Sequence, residues 1–143
     1  MIVNRILSLK GREVVTIGPE RSLSEAAKVL SERRIGALLV IDGKRPVSGI
    51  ISERDIVRAI AVHGPQALDE PVSRFMTEKV LTCTGETSIN DVMELMTQQK
   101  FRHVPVVEGG RLLGIISIGD VVKLRLEEVE GEAQAIREYI ATA

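Results

Sequence analysis

The chain has 143 residues, 44% of them hydrophobic, enough for one compact domain or two very small ones and too apolar for disorder. Its 19 Lys and Arg against 20 Asp and Glu leave no basic surplus, which argues against a generic polyanion binder. Three aromatic residues, Phe75, Phe101 and Tyr139, are too few for a platform that stacks single-stranded nucleic acid, so a base-binding slot here must be aliphatic.

The N-terminus, MIVNRILSLKGREVV, meets the charges of Lys10 and Arg12 before a signal-type apolar run develops. No apolar run approaches the roughly 20 residues that span a bilayer. Cys83 is the only cysteine, so no intramolecular disulfide can form. The expected setting is the cytoplasm, with no membrane partner.

From Val14, VVTIGPERSLSEAAKVL begins with a short strand that carries Thr16. Ser22 followed by Glu25 has the form of a helix capping box. Behind it, Leu23, Ala26, Ala27 and Leu30 fall at i, i+3, i+4 and i+7, one apolar stripe of a helix. Two apolar strands, GALLVID and VSGII, follow around a Gly-containing turn, and a second helix covers Glu53–Val62. Strands this continuously apolar are expected where helices cover a sheet. Residues 63–79, HGPQALDEPVSRFMTEK, hold two prolines and a glycine without sustained periodicity and read as a connector. His63 there is a turn residue, and Met76 packs.

The pattern then repeats. VLTCTGETSINDVMELM, from Val80, aligns at an offset of 66, placing Thr82 on Thr16, Glu86 on Glu20, Ser88 on Ser22 and Val106 on Val40. One deletion later the offset is 65, and GIISIGDVV (Gly114–Val122) matches GIISERDIV (Gly49–Val57). Ser88 and Asp91 repeat the cap, and Ile89, Val92, Met93 and Met96 repeat the stripe. HVPVVEG and LLGII repeat the strands, so each half reads β-α-β-β-α. Beyond Gly119, DVVKLRLEEVEGEAQAIREYIATA reads as a long helix with Gly131 as a candidate break. The expected divisions are an N-terminal segment with the first repeat (1–62), the connector (63–79), the second repeat (80–127) and a C-terminal helix (128–143). One unit of about 50 residues buries too little surface alone, so the two should pack on each other.

There is no H-E-x-x-H, P-loop, CxxC or Ser–His–Asp order with an elbow motif, and two histidines and one cysteine in separate segments suggest no metal site. The chain is therefore not expected to be an enzyme.

Two tandem β-α-β-β-α repeats, each carrying G-I-I-S-x-x-D and the second carrying KFRHVPVV, resemble the CBS-domain family, whose tandem pairs are called Bateman modules. The resemblance runs roughly from Val14 to Leu126. It implies an α/β (α+β) fold of two repeats packed as a pseudo-twofold pair. It also implies a sensor that lodges AMP, ADP, ATP, NAD(H) or S-adenosylmethionine in clefts between the repeats. Many members form homodimers as a flat four-repeat disc, and short pairs regulate a separate protein, here unidentified.

Ser52 and Ser117 stand at helix starts, where the dipole, backbone N–H groups and a hydroxyl favour phosphate. Asp55 and Asp120, three residues on, can each accept two hydrogen bonds from a ribose diol. Both pairs also read as ordinary capping boxes. The resemblance assigns the serines to phosphate and the aspartates to ribose, and it points Arg102 and His103 at phosphate. The first repeat has Gly36 and Ala37 at those two positions, leaving room for close approach of an adenine ring or of the backbone, and its positive charge must come from Arg54 or from the other repeat. Thr16 and Thr82, at the ends of the opening strands, are implied to read the adenine or sugar edge. The two clefts are therefore unequal, the one built on Arg102, His103, Ser117 and Asp120 being the more complete. Cys83 is a small buried hydrophobe.

The expected function is an adenine-nucleotide sensor that passes ligand state to a partner through inter-repeat or dimer geometry. AMP or ADP leads, NAD(H) follows, and S-adenosylmethionine is third because it has no phosphate for Arg102. The competing reading is a ligand-independent dimerisation or interaction module with vestigial clefts.

Overall fold

The computed structural model describes residues 1–142 and shows a mixed α/β chain of helices and small sheets. It divides into two compact units, one of Glu13–Thr82 with Gly109–Leu112, the other of Met1–Arg12, Cys83–Glu108 and Leu113 onward.

In the first unit, β1 (Thr16–Ile17), α2 (Leu23–Arg33), β2 (Ala37–Val40), β3 (Gly49–Ser52) and α3 (Glu53–His63) follow one another; α1 belongs to the second unit. β1 pairs parallel to β2, Thr16 opposite Leu39, and β2 pairs antiparallel to β3, Ala37 opposite Ser52. All four β2 residues are buried. Ser22 caps α2 by accepting the Glu25 N–H, and the face it sets buries Leu23, Ala26 and Leu30 against Leu38, Val40 and Ile51.

The expected bare connector is a set of short elements. A 3-10 turn at Pro65–Asp69 buries Ala67, and α4 (Val72–Phe75) buries Val72. Thr77 then exchanges both backbone hydrogen bonds with Ile50, at 2.9 and 3.0 Å. Elements of four or five residues are shorter than the window in which periodicity can be detected. Gly49 permits the approach: a Cβ there would lie 2.6 Å from Met76 Sδ and 2.9 Å from the Thr77 carbonyl oxygen.

In the second unit, α1 (Val3–Lys10) is grouped with α5 (Ile89–Gln99), β4 (His103–Glu108), β5 (Arg111–Ser117) from Leu113 onward, and α6 (Ile118–Thr142). This corrects the expected grouping of the N-terminal segment with the first repeat. The Val3 and Asn4 N–H groups bond the carbonyls of Thr87 and Gly85 at 2.9 and 2.8 Å, and the Ile89 N–H bonds that of Met1 at 3.0 Å. Val3, Ile6 and Leu7 join a core with Ile89, Val92, Val104, Val106 and Ile116.

The opening strand of this repeat shrinks to one parallel bridge, Cys83 to Val106. Thr82 therefore lies in no strand, contrary to expectation. β4 and β5 form a two-stranded sheet. α6 runs through Gly131 without a break, so the second repeat and the C-terminal helix are not separable at 127; Ala143 lies outside the described residues. Among the described residues no helix is long and apolar enough to cross a membrane.

Candidate functional site

Each repeat passes from strand to helix through the same hydrogen-bonded box. At the β3–α3 step, Ser52 Oγ accepts the Asp55 N–H at 3.3 Å, and Asp55 Oδ2 accepts the Ser52 N–H at 2.9 Å and its hydroxyl at 3.0 Å. The Glu53 N–H bonds the Gly36 carbonyl at 3.0 Å. At the β5–α6 step, Ser117 Oγ accepts the Asp120 N–H at 3.2 Å and Asp120 Oδ2 accepts the Ser117 N–H at 2.9 Å. The Ile118 N–H bonds the Arg102 carbonyl at 2.8 Å, so Arg102 occupies the place of Gly36.

The chain reaches these carbonyls through two left-handed residues at matching positions. Arg34 (φ 53°) ends α2 and Lys100 (φ 59°) ends α5. Glycine is the usual occupant of such a cap, because a Cβ there crowds the backbone. Neither position carries the glycine that would signal such a cap, and a cation just past a helix end is also what the helix dipole favours.

These caps limit what the helix starts can offer a ligand. Of the first-turn donors of α3, those of Glu53 and Asp55 are already bonded, which leaves the Arg54 N–H without a partner among the described residues. The carboxylates retain more capacity. Each cap engages Oδ2, and Oδ1 of Asp55 remains an acceptor on a half-buried side chain.

The two carboxylates also differ in their ionic partners. Lys10, from α1, places its ammonium 2.7 Å from Asp120 Oδ2 and 3.0 Å from the Ile115 carbonyl oxygen. Burial alone would raise the Asp120 pKa; the Lys10 ammonium and the Ser117 N–H and hydroxyl outweigh it and hold the carboxyl below its ordinary value. Asp55 has no such cation among the described residues. No sequence motif pointed to Lys10, which lies 110 positions from its partner.

The expected site residues thus fall into two sets and two outliers. Gly36, Ala37, Ser52, Arg54 and Asp55 converge at the first box: Ala37 is the cross-strand partner of Ser52, and Arg54 is exposed on the first turn of α3. Arg102, Ser117 and Asp120 converge at the second, with His103 half-buried at the start of β4. Thr16 is exposed on β1, and no hydrogen bond joins it to the first box. Thr82 is exposed beside the Cys83 bridge. Burial pushes the Cys83 thiol up to about 11, which leaves it a poor nucleophile. Among the described residues no cluster of His, Cys, Asp and Glu could hold a metal.

A family model described as the CBS domain matches residues 8–62 and 72–127. The crystal structure of the CBS-domain containing protein ATU1752 from Agrobacterium tumefaciens is similar, with a TM-score of 0.85 and 50% identity, covering 87% of this chain and 99% of that one. The CBS domain pair of protein MJ0100, solved in complex with 5′-methylthioadenosine and S-adenosyl-L-methionine, gives a TM-score of 0.76 at 28% identity, covering 87% of this chain and 98% of that one. CBSX2, solved in complex with AMP, gives 0.68 at 28% identity, covering 80% and 88%.

Proposed function

The chain belongs to the CBS-domain family, and on that footing we propose that it is a regulatory CBS pair that binds an adenosyl compound and reports its occupancy to a separate protein. The observation that carries the reading is the Asp55 carboxylate. The cap fixes its orientation, Oδ1 is left as an acceptor, and the Arg54 N–H and guanidinium stand one residue away. A ribose diol needs such an acceptor, and a phosphate needs such donors. Adenosine is the part shared by the ligands in the two solved relatives, AMP in one and the methylthioadenosine and S-adenosylmethionine of the other, which supports the adenosyl class.

Within that class AMP or ADP ranks first and ATP extends the same contacts. NAD(H) comes second, because its AMP half presents the same diol and phosphate. S-adenosylmethionine has no phosphate for Arg54 or Arg102 and ranks third. Gly36 and Ala37 are the proposed neighbours of the base, and Thr16 and Thr82 the proposed readers of its edge. At the second box Arg102 and His103 are the proposed phosphate contacts and Ser117 an added donor. There Lys10 competes for Asp120, so Asp55 is the stronger sugar anchor.

A ligand at 100 times its dissociation constant favours the state that holds it by about 2.7 kcal/mol, limited by its differential affinity for the two states. That suffices to bias a modest two-state element such as a dimer contact. The reading involves no chemical step.

One observation favours a second reading, a ligand-independent interaction module. Both Ser–Asp pairs are fully explained as helix caps, with each side chain engaged by the other's backbone. Mass spectrometry of small molecules released on denaturing the purified protein separates the two. The sensor reading expects an adenosyl compound from the parent protein and a marked loss of it from Asp55→Asn, whose amide oxygen still caps α3. Equal retention by the variant, or release of no adenosyl compound with no binding on its addition, favours the interaction module.

A further inference from the structure

Only two residues of the 25-residue helix α6 are buried, Val121 and Leu124. Beyond Leu124 the helix continues for more than four turns without burying any residue. A lone helical segment of that length is marginal in water, so its stability calls for a packing partner.

The sequence of this segment specifies one. Val122, Leu126, Val129, Ala133, Ile136 and Ile140 are spaced by alternating steps of four and three, an unbroken 3.5-residue period. Except for the half-buried Ala133, these residues are between 43% and 67% exposed, so the single chain leaves the seam uncovered. With Leu126, Ala133 and Ile140 as a positions and Val122, Val129 and Ile136 as d positions, Gly131 falls at f, the outermost position, where a missing side chain costs no packing. Lys123, Glu130 and Arg137 fall at e, and Arg125 and Glu132 at g.

We propose that α6 is a self-association helix whose seam packs in parallel against the α6 of a second copy of this chain. The flanking charges select the partner and its direction. In a parallel pair each g residue meets the next e residue of the other helix: Arg125 meets Glu130 and Glu132 meets Arg137, all of opposite sign. An antiparallel pair with the same seam aligned would set Glu130 against Glu130, Glu132 against Glu132 and Lys123 against Arg137, all of like sign. In the single chain Arg125 leans on Glu128 at 3.3 Å, a half-buried i,i+3 contact within α6 that pairing would exchange for Glu130 of the other copy. Branched residues at d admit further strands beyond the pair. The inference is independent of ligand binding.

Sedimentation equilibrium of the full chain, with Ile136→Glu and Ile136→Cys variants, tests it. The parent should show a mass of two or more protomers at high micromolar concentration. Ile136→Glu should fall to a single protomer with circular dichroism showing the rest of the chain folded, since Ile136 is 60% exposed. Under oxidation Ile136→Cys should form an interchain disulfide, while the buried Cys83 in the parent forms none. In an antiparallel pair residue 136 faces residue 126, which puts the two thiols about 15 Å apart along the axis, too far to bridge. A monomeric parent, or an Ile136→Glu variant with the parent's mass, overturns the proposal. An assembled Ile136→Cys protein that fails to cross-link overturns the parallel orientation.

Discussion

At the scale of single residues, Lys10 sets the difference between two otherwise matching helix starts. Its ion pair with Asp120 is about a third exposed on the lysine side, so solvent screens it and its worth is about 1 kcal/mol or less. The sign of its pH dependence follows from the depressed Asp120 pKa. The stabilisation is fully present above the unfolded carboxyl value near 4 and is lost as pH falls through the lower folded value. Lys10→Met should therefore lower stability by about 1 kcal/mol at neutral pH, with the deficit shrinking once Asp120 is protonated in both proteins. Urea denaturation across that range measures it, and a deficit that grows on acidification contradicts the assignment. The Ser–Asp pairs themselves were legible, because a hydroxyl followed three residues later by a carboxylate at a strand-to-helix step is a local pattern. Lys10 was not legible, because its meeting with Asp120 is made by tertiary packing alone.

At the scale of elements, the helix ends and the short segment after α3 make the sharpest predictions. A left-handed non-glycine residue costs roughly 1–2 kcal/mol, and glycine gives back about 0.5–1 in unfolded-chain entropy. Arg34→Gly and Lys100→Gly should each stabilise the fold by about 0.5 kcal/mol, read as a higher urea midpoint with unchanged slope. A lower midpoint would mean that the cationic side chain contributes more than its backbone strain costs. Gly49→Ala should act in the other direction. The Met76 sulfur can move aside, but the Thr77 carbonyl belongs to the backbone paired with Ile50, so a loss of about 1–3 kcal/mol is expected. A neutral outcome would show that this bridge is dispensable. Periodicity found α2 and α5, whose apolar stripes run from i to i+7, and the duplicated strand-to-helix pattern found α3. Periodicity could not find a 3-10 turn of five residues or an α4 of four, which are held by Ala67, Val72 and two backbone bridges, Ser22 to Pro71 and Ile50 to Thr77.

For the whole molecule, the duplication was the most legible feature, because two offsets, 66 and 65, carry caps, stripes and strands together. The duplication also misled. It suggested an opening strand in both halves, yet the second keeps only the Cys83 bridge. It said nothing about α1, which has no copy and docks on the second unit through the carbonyls of Gly85 and Thr87. The resulting asymmetry alters the functional expectation. Arg102 and His103 accompany the second box, but its carboxylate is shared with Lys10, whereas Asp55 is not so engaged among the described residues. Isothermal titration calorimetry of the nucleotide-free, folded full chain with AMP tests this most directly. Saturable heat is predicted for the parent, with affinity lowered about 10- to 100-fold by Asp55→Asn, the effect of losing a hydrogen bond to a charged acceptor, and lowered less by Asp120→Asn. Flat traces for AMP, ADP, NADH and S-adenosylmethionine alike, or equal affinity in parent and Asp55→Asn, would contradict the account.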